Sequence, residues 1–181
     1  MSRILLGGGC FWCMDAVFRR LRGVEHVVSG YAGGHNEHPT YEEVCSGNTG
    51  HAEVISIEYD QQVISLEVIL SVFFSMHDPT TINRQGADVG EQYRSVIFYT
   101  IPEQAKEAQN IIDDLEREHV FPRPIVTSIE PYTNFYPAET YHQDYYANNQ
   151  SSGYCRAAID PKIAKLRQKF ASYIIDEEVF L

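Results

Sequence analysis

The sequence predicts an α+β fold in which helices pack on one side of a mainly antiparallel sheet. Apolar patterns of strand and helix alternate early in the chain, and a second β-α-β pattern follows. A chain of 181 residues with 44% hydrophobic content is large enough for a proper core. No internal repeat or linker divides it. We therefore expect one domain over residues 1–181, with a doubly wound parallel sheet as the alternative.

The first β-α-β unit is predicted from three short patterns. Consecutive apolar residues at 4–6 indicate a central strand that is buried on both faces. A helix follows Cys13 and ends near Gly23, because Met14, Val17, Phe18 and Leu21 recur at helical spacing. Residues 24–30 alternate weakly and indicate a second strand.

The next segment is predicted to be a loop that leads into a short helix. Residues 31–39 are rich in glycine and polar residues. Thr40 can cap a helix, with Glu43 three positions on completing a capping box. Tyr41 would then lie in the first helical turn, at the edge of the loop.

The third predicted strand, residues 52–60, carries a carboxylate on its apolar face. Ile55, Ile57 and Tyr59 share one side of this strand, and Glu53 points the same way. A buried carboxylate is costly unless it is neutral or paired. The alternative is that Glu53, at the start of the strand, is solvated.

The second half of the chain contains further helices and strands joined by longer loops. Asp88 is expected in a loop, and Tyr93 directly after that loop. The predicted elements, in order, are a helix from Ser65 to Met76, a loop at 80–92, a strand at 94–100, a helix from Pro102 to about His119, a strand at 125–129, a short helix within 135–146 and a last helix from Asp160 to about Tyr173.

Composition excludes several classes of function. The formal charge of -11 argues against a nucleic-acid or anionic-membrane surface. No apolar run approaches the roughly 20 residues that cross a bilayer, and Cys10 lies too early to follow a cleavable signal peptide. Four cysteines without a disulfide framework suit a reducing compartment. We expect a cytoplasmic protein, monomeric, with no nucleic-acid or membrane partner.

The stretch Gly-Gly-Gly-Cys-Phe-Trp-Cys at residues 7–13 predicts redox chemistry. Cys10 would lie at a strand-to-helix turn, where the helix N-terminus lowers a thiol pKa and favours a thiolate nucleophile. Cys10 and Cys13 could form a redox pair, although half of a zinc site or two ordinary buried cysteines are alternatives. Phe11 and Trp12 would be core residues or the walls of an apolar pocket.

Several motifs, in this order along the chain, give the sequence a resemblance to a known family. They are Gly-Cys-Phe-Trp-Cys (9–13), Gly-Tyr-Ala-Gly-Gly (30–34), Pro-Thr-Tyr (39–41), Gly-His-Ala-Glu (50–53), His-Asp-Pro (77–79), Arg-Gln-Gly-Ala-Asp (84–88), Gln-Tyr-Arg-Ser (92–95) and Tyr-His-Gln-Asp-Tyr (141–145). Over residues 4 to 160 the chain resembles type A peptide methionine sulfoxide reductases. This resemblance implies a ferredoxin-like β-α-β sandwich core with N- and C-terminal extensions.

The resemblance also implies the reaction, which is thiol-dependent reduction of methionine S-sulfoxide, free or in proteins, to methionine. A thiolate must attack while an acid protonates the departing oxygen. The implied roles are Cys10 as the nucleophile that becomes a sulfenic acid, Glu53 as the acid, Tyr41 and Tyr93 as hydrogen-bond donors to the oxygen, Phe11 and Trp12 as the methyl pocket, and Asp88 as a residue that orders the site.

A second thiol must then convert the sulfenic acid into a disulfide, which thioredoxin, or dithiothreitol in its place, would reduce without another cofactor or a metal. Cys155 matches a recycling cysteine of many relatives. Cys13 departs from the common glycine but is close enough to Cys10 in sequence, so we favour it slightly and leave a relay to Cys155 open. Cys45 is expected to be a core thiol. His142 and Asp144 match a family segment near the site, and an ordinary helix face is their alternative.

Two other functions remain possible at this stage. A general dithiol-disulfide oxidoreductase would use Cys10 and Cys13 but would leave the tyrosines and Glu53 unexplained. A zinc-stabilised binding module would use the same pair with two ligands from Cys45, Cys155 or the seven histidines.

Overall fold

The computed structural model describes residues 1–176 and contains a six-stranded sheet with helices packed against it. The last five residues of the expected domain, 177–181, lie outside this part of the chain. The strands are β1 (Ser2–Gly7), β2 (Val24–Ala32), β3 (Ala52–Tyr59), β4 (Arg84–Gln85), β5 (Asp88–Val89), β6 (Val96–Tyr99), β7 (Ser128–Pro131) and β8 (Tyr136–Pro137). The α-helices are α1 (Phe11–Phe18), α2 (Tyr41–Cys45), α3 (Leu66–Ser75), α4 (Pro102–Arg117), α5 (Tyr145–Asn148) and α6 (Asp160–Lys169).

The main sheet has the strand order β7-β6-β1-β3-β2-β8. Strand β3 lies between β1 and β2 and is antiparallel to both, and β6 is antiparallel to β1. The parallel pair in this sheet is β6 with β7. The α+β prediction is therefore confirmed, and the alternative of a doubly wound parallel sheet is wrong. The physical reason is that the connection between β2 and β3, which contains the short helix α2, reverses the chain direction. The two strands therefore lie side by side and antiparallel.

The two faces of the sheet pack against two different hydrophobic clusters. Ile4 and Leu6 point into the larger core, which α1, α3 and α4 complete. Leu5, between them in sequence, points the other way into a smaller cluster with Phe98 that Phe135 partly covers. This alternation is the period of a strand, and it assigns Glu53 to the helical side together with Ile55, Ile57 and Tyr59.

Several predicted boundaries in the second half are wrong. The expected loop at 80–92 contains a small antiparallel hairpin of β4 and β5, followed by a 3₁₀ turn at Glu91–Tyr93. The strand predicted at 125–129 is Ser128–Pro131, because its pairing with β6 begins only at Ser128. The segment 135–146 forms β8 and a 3₁₀ turn, and helix α5 starts only at its end. These elements are short, so the strands that pair with them determine where they begin and end, and their own sequence does not.

The two ends of the chain show smaller differences. Helix α1 ends at Phe18, earlier than the predicted Gly23, and a turn completes the connection to β2. Helix α6 ends at Lys169, and a π-helical turn at Cys155–Ile159 precedes it. Within residues 1–176, no helix combines the length and the hydropathy that a membrane span requires.

Candidate active site

Cys10 lies at the junction of β1 and α1, as predicted, and is the N-cap residue of the helix. Its carbonyl accepts the first helical hydrogen bond, from the Cys13 N–H at 3.2 Å. The turn depends on the preceding glycine. Gly9 has a φ of +91°, and a Cβ atom there would lie 2.6 Å from Cγ of Gln85. A side chain at position 9 would therefore both strain the backbone and displace Gln85.

Glu53 reaches the same helix terminus from the neighbouring strand β3. Its carboxylate Oε2 accepts the Phe11 N–H at 3.1 Å, and the residue is only 1% exposed. Burial raises the pKa of Glu53 to about 8, the charges of Asp88 and Cys13 add to this, and the Phe11 hydrogen bond opposes it. Glu53 is therefore mainly protonated at neutral pH, and the alternative of a solvated carboxylate is wrong.

The two thiols of residues 10 and 13 form a hydrogen-bonded pair. The bond to Cys13, burial and the charge of Glu53 raise the pKa of Cys10 well above its ordinary value. The same bond, donated by Cys10, and the charge of Lys162 lower the pKa of Cys13 to about 7. The prediction that the helix terminus lowers the Cys10 pKa is thus wrong for the resting pair, because the hydrogen bond to Cys13 and burial outweigh the effect of the helix terminus. Cys13 is therefore the thiol of the pair that ionises first, and Cys10 keeps its proton in the resting pair.

The predicted tyrosines lie on two different elements, and both interact with Glu53. Tyr41 is the first residue of α2, and the predicted capping box at the start of this helix is present. The Tyr41 N–H donates to Glu139 Oε2 at 3.1 Å. Tyr93 ends the 3₁₀ turn after the hairpin. Burial raises the pKa of each phenol, and the charge of Glu53 raises both further. Both hydroxyls are therefore protonated donors at neutral pH, and both lie within the electrostatic range of Glu53.

The hairpin of β4 and β5 places Asp88 in the same cavity as the two thiols. It lies on β5 and lines a cavity of about 250 Å³ that also contains both Cys10 and Cys13. Burial raises the pKa of Asp88. The other residues that line this cavity are Gly8, Gln85, Gly86, Ala87, Tyr154, Ala158 and Lys162.

Phe11 and Trp12 have different environments. Phe11 is 1% exposed, with its ring centroid 5.8 Å from that of Tyr31 and 5.1 Å from that of His142. Trp12 is partly exposed and stacks on Tyr145, with ring centroids 3.7 Å apart and planes 5° apart. Phe11 is thus a core residue behind the site, whereas Trp12 has surface left for a ligand.

His142 and Asp144, which the sequence could not separate, have different positions. His142 is fully buried, and its Nδ1 accepts the indole N–H of Trp12 at 3.0 Å, so a neutral ring would carry its proton on Nε2. Burial lowers the pKa of His142. Asp144 instead lies 3.8 Å from Arg19 in an ion pair at the C-terminus of α1. His142 therefore supports Trp12, and Asp144 does not reach the thiols.

Three contributors to the site were missed in the sequence. The Tyr154 hydroxyl lies 3.6 Å from the Cys13 sulfur. Lys162 lines the thiol cavity, and its Nζ donates to the Met76 carbonyl. Glu139 accepts hydrogen bonds from the Tyr31 hydroxyl at 2.9 Å and from the Tyr41 N–H. No local pattern distinguishes these residues, because each acts on a residue about 90 or more positions away in sequence.

The remaining cysteines do not complete a metal site. Cys155 is fully buried beside Cys13 in an apolar cluster that includes Ile159. Cys45 is exposed on α2, so the expectation of a core thiol there is wrong. In the described part of the chain, no three His, Cys, Asp or Glu side chains are grouped so that they could hold a metal ion.

The chain is similar to one protein family over nearly its whole length. The family described as "Peptide methionine sulfoxide reductase" matches residues 2–174. Proteins named "Peptide methionine sulfoxide reductase MsrA" include one from Chromobacterium violaceum, 53% identical over 94% of this chain and 97% of its own length. Another, from Acinetobacter baumannii, is 55% identical over 94% of this chain and 96% of its own.

Solved structures show the same similarity. The reduced form of Mxr1 from Saccharomyces cerevisiae superimposes with a TM-score of 0.77 at 36% identity, over 83% of this chain and 87% of that one. Mxr1 in complex with Trx2 superimposes with a TM-score of 0.55 at 28% identity, over 80% of this chain and 84% of that one.

Proposed function

Because the chain belongs to the peptide methionine sulfoxide reductase family and is therefore an oxidoreductase that reduces methionine sulfoxide, we propose that Cys10 is its nucleophile and Glu53 its acid. One observation carries the assignment of the acid. Glu53 is buried, has a pKa near 8 and hydrogen-bonds the residue directly after Cys10. A protonated carboxyl at that position can supply the proton that the departing oxygen needs.

The first step transfers one oxygen atom from the substrate to the enzyme. The proton of the thiol pair passes to Cys13 or to solvent, and the Cys10 thiolate attacks the sulfoxide sulfur. The attack forms a bond between the two sulfurs, and Glu53 protonates the sulfoxide oxygen. The protonated oxygen is then transferred to the Cys10 sulfur as the bond between the two sulfurs breaks, so that methionine leaves. In sum, the Cys10 thiol and the sulfoxide become a Cys10 sulfenic acid and methionine, with no other oxidant or reductant.

The remaining site residues would orient the substrate. Tyr41 and Tyr93 would donate hydrogen bonds to the sulfoxide oxygen, which their neutral phenols support. Asp88 would order the cavity beside the thiols. Trp12 would receive the methyl group, with Phe11 behind it, and we propose the S epimer as the substrate, free or in proteins.

Cys13 would then resolve the sulfenic acid. Its sulfur attacks Cys10, water leaves, and a Cys10–Cys13 disulfide forms. The hydrogen bond between the two thiols and the lower pKa of Cys13 support this order. Cys155 is buried beside Cys13 and is the candidate for a later relay step. A thiol reductant regenerates the pair, and the solved complex of Mxr1 with Trx2 supports thioredoxin as that reductant.

We extend the proposal to the architecture and the setting of the enzyme. The strand order β6-β1-β3-β2 and the antiparallel neighbours support a ferredoxin-like core. The chain would be one catalytic domain, monomeric and cytoplasmic, and would need no cofactor other than its thiol reductant.

The test measures turnover of the two separated epimers of a methionine sulfoxide peptide with dithiothreitol. Cys10→Ser should abolish turnover of the S epimer, whereas the matched variant Cys45→Ser should retain it, since Cys45 is exposed on α2. Equal turnover in Cys10→Ser and in the unsubstituted enzyme would refute the assignment. Insulin disulfide reduction without sulfoxide turnover would favour a general dithiol oxidoreductase instead.

A further inference from the structure

A second and larger cavity adjoins the one that holds the thiols. It has a volume of about 420 Å³ and lies between the end of α3, the start of α6 and the segment 121–123. The two cavities share Gln85 and Lys162 as walls. Gln85 is held rigidly at this boundary, because its side chain accepts the Asp78 N–H and donates to the Asp78 carbonyl, each at 2.9 Å.

The charge of the larger cavity is opposite to that of the whole protein. Arg123, Lys162 and Lys165 line it against a single carboxylate, Asp78, while the chain has a formal charge of -11. Burial and the charges of Lys169 and Lys162 lower the pKa of Lys165, which is the direction expected where cations are crowded. A cavity with this excess of cations favours an anionic group.

The cations are also held in place and accessible. The Lys165 Nζ donates to the Ser75 carbonyl at 2.6 Å, and that of Lys162 to the Met76 carbonyl, both at the C-terminus of α3. The Arg123 guanidinium lies 3.6 Å from Asp78, and its side chain remains 62% exposed. These cations are therefore not fully neutralised by protein partners.

We propose that this cavity is a subsite for an acidic side chain of a polypeptide substrate, located beside the oxidised methionine. The inference rests on the proposed function, because it takes Cys10, which lines the thiol cavity, as the residue that attacks the sulfoxide. An extended peptide advances about 3.3 Å per residue, so a side chain one to three residues from the sulfoxide can cross Gln85 into the neighbouring cavity. Phe121, Pro122 and Pro161 supply apolar wall for the methylene groups of such a side chain.

The experiment compares short peptides in which one residue near methionine sulfoxide is Glu, Gln or Lys, with dithiothreitol as the reductant. The Glu peptide should have a kcat/KM about two- to fivefold above that of the Gln peptide at low salt, the range of a partly exposed ion pair. The Lys peptide should be the poorest substrate. High salt should remove the differences.

Charge reversal supplies the sharper test. Arg123→Glu should invert the preference, so that the Lys peptide becomes better than the Glu peptide, while turnover of free methionine sulfoxide stays unchanged. The matched control is Lys106→Glu on α4, an exposed charge away from both cavities, which should leave the preference intact. An equal response of both variants, or no discrimination among the peptides, would overturn the subsite.

Two further outcomes separate this inference from the proposed function. Loss of free methionine sulfoxide turnover in the unsubstituted enzyme would contradict the function itself and would not concern the subsite. An effect of Arg123→Glu that occurs only with thioredoxin and not with dithiothreitol would assign the cavity to the protein reductant, and would also overturn the proposal.

Discussion

Replacement of Glu53 by glutamine removes the proton that the proposed mechanism needs while it keeps the shape of the side chain. With a pKa of about 8 against an ordinary value of 4.5, the carboxyl is protonated in about nine of ten molecules at pH 7, compared with about three in a thousand for an ordinary glutamate. Glutamine can donate a hydrogen bond to the sulfoxide oxygen but cannot release a proton. We expect Glu53→Gln to slow the first step by about 10²- to 10⁴-fold.

The assay is release of methionine in a single turnover without reductant, followed across pH. For the unsubstituted enzyme, the rate should rise as the thiol pair ionises near 7 and fall as Glu53 loses its proton near 8. Glu53→Gln should keep the rise and lose the fall. A descending limb with the same midpoint in the variant would refute Glu53 as the acid, since another group would then be titrating.

The same variant should also change how the free energy of unfolding depends on pH. The folded-state pKa of Glu53 lies above its unfolded value, so the folded protein binds the proton more tightly, and stability falls as pH rises from about 4.5 through about 8. At pH 7 this loss is about 3 kcal/mol, from roughly 2.5 pH units at 1.36 kcal/mol each. Glu53→Gln should therefore be more stable than the unsubstituted protein at pH 7 and should lose this advantage near pH 4. Denaturant unfolding at the two pH values measures it, and an equal difference at both would contradict a neutral buried carboxyl.

Three further predictions concern the thiols and their turn. Cys13→Ser should still release methionine in the first turnover but should lower thioredoxin-driven turnover at least about tenfold, because the sulfenic acid lacks its nearest thiol; undiminished recycling would assign resolution to another cysteine. Lys162→Met should raise the pKa of Cys13 above about 7, measured by the pH dependence of alkylation, whereas Lys165→Met should change it less; equal effects would exclude a specific role for Lys162. Gly9→Ala should destabilise the fold by about 1–3 kcal/mol, since φ is +91° and a Cβ would lie 2.6 Å from Gln85; an unchanged unfolding midpoint would contradict the strain.

Some parts of the fold could be predicted from the sequence because residues close together in the chain determine them. The capping box of Thr40 and Glu43 predicted α2 and so the position of Tyr41, and the structure contains both of its hydrogen bonds. The alternation in 52–60 predicted the side of β3 on which Glu53 lies, and the residue is buried there. A cap or a strand period involves residues a few positions apart, so a sequence displays it directly.

Other predictions failed where the determinant is distant. The hairpin at 84–89 and the true start of β7 depend on pairing partners, and no local pattern marks them. Cys45 was expected in the core but lies on an exposed face of α2. The thiol chemistry also changed. A helix terminus alone lowers a thiol pKa, whereas here the hydrogen bond to Cys13, burial and the charge of Glu53 raise that of Cys10.

By itself, the sequence determined which chemistry is available: a cysteine at the start of a helix, a second thiol three positions on, and a carboxylate on an apolar strand face. Only the tertiary structure decided the protonation states of these groups. Glu53 is neutral because the core buries it, and Cys13 holds the more acidic proton because Cys10 donates to it and Lys162 lies in the same cavity. A pKa depends on desolvation and on neighbouring charges in space, and neither is a property of residues adjacent in the chain.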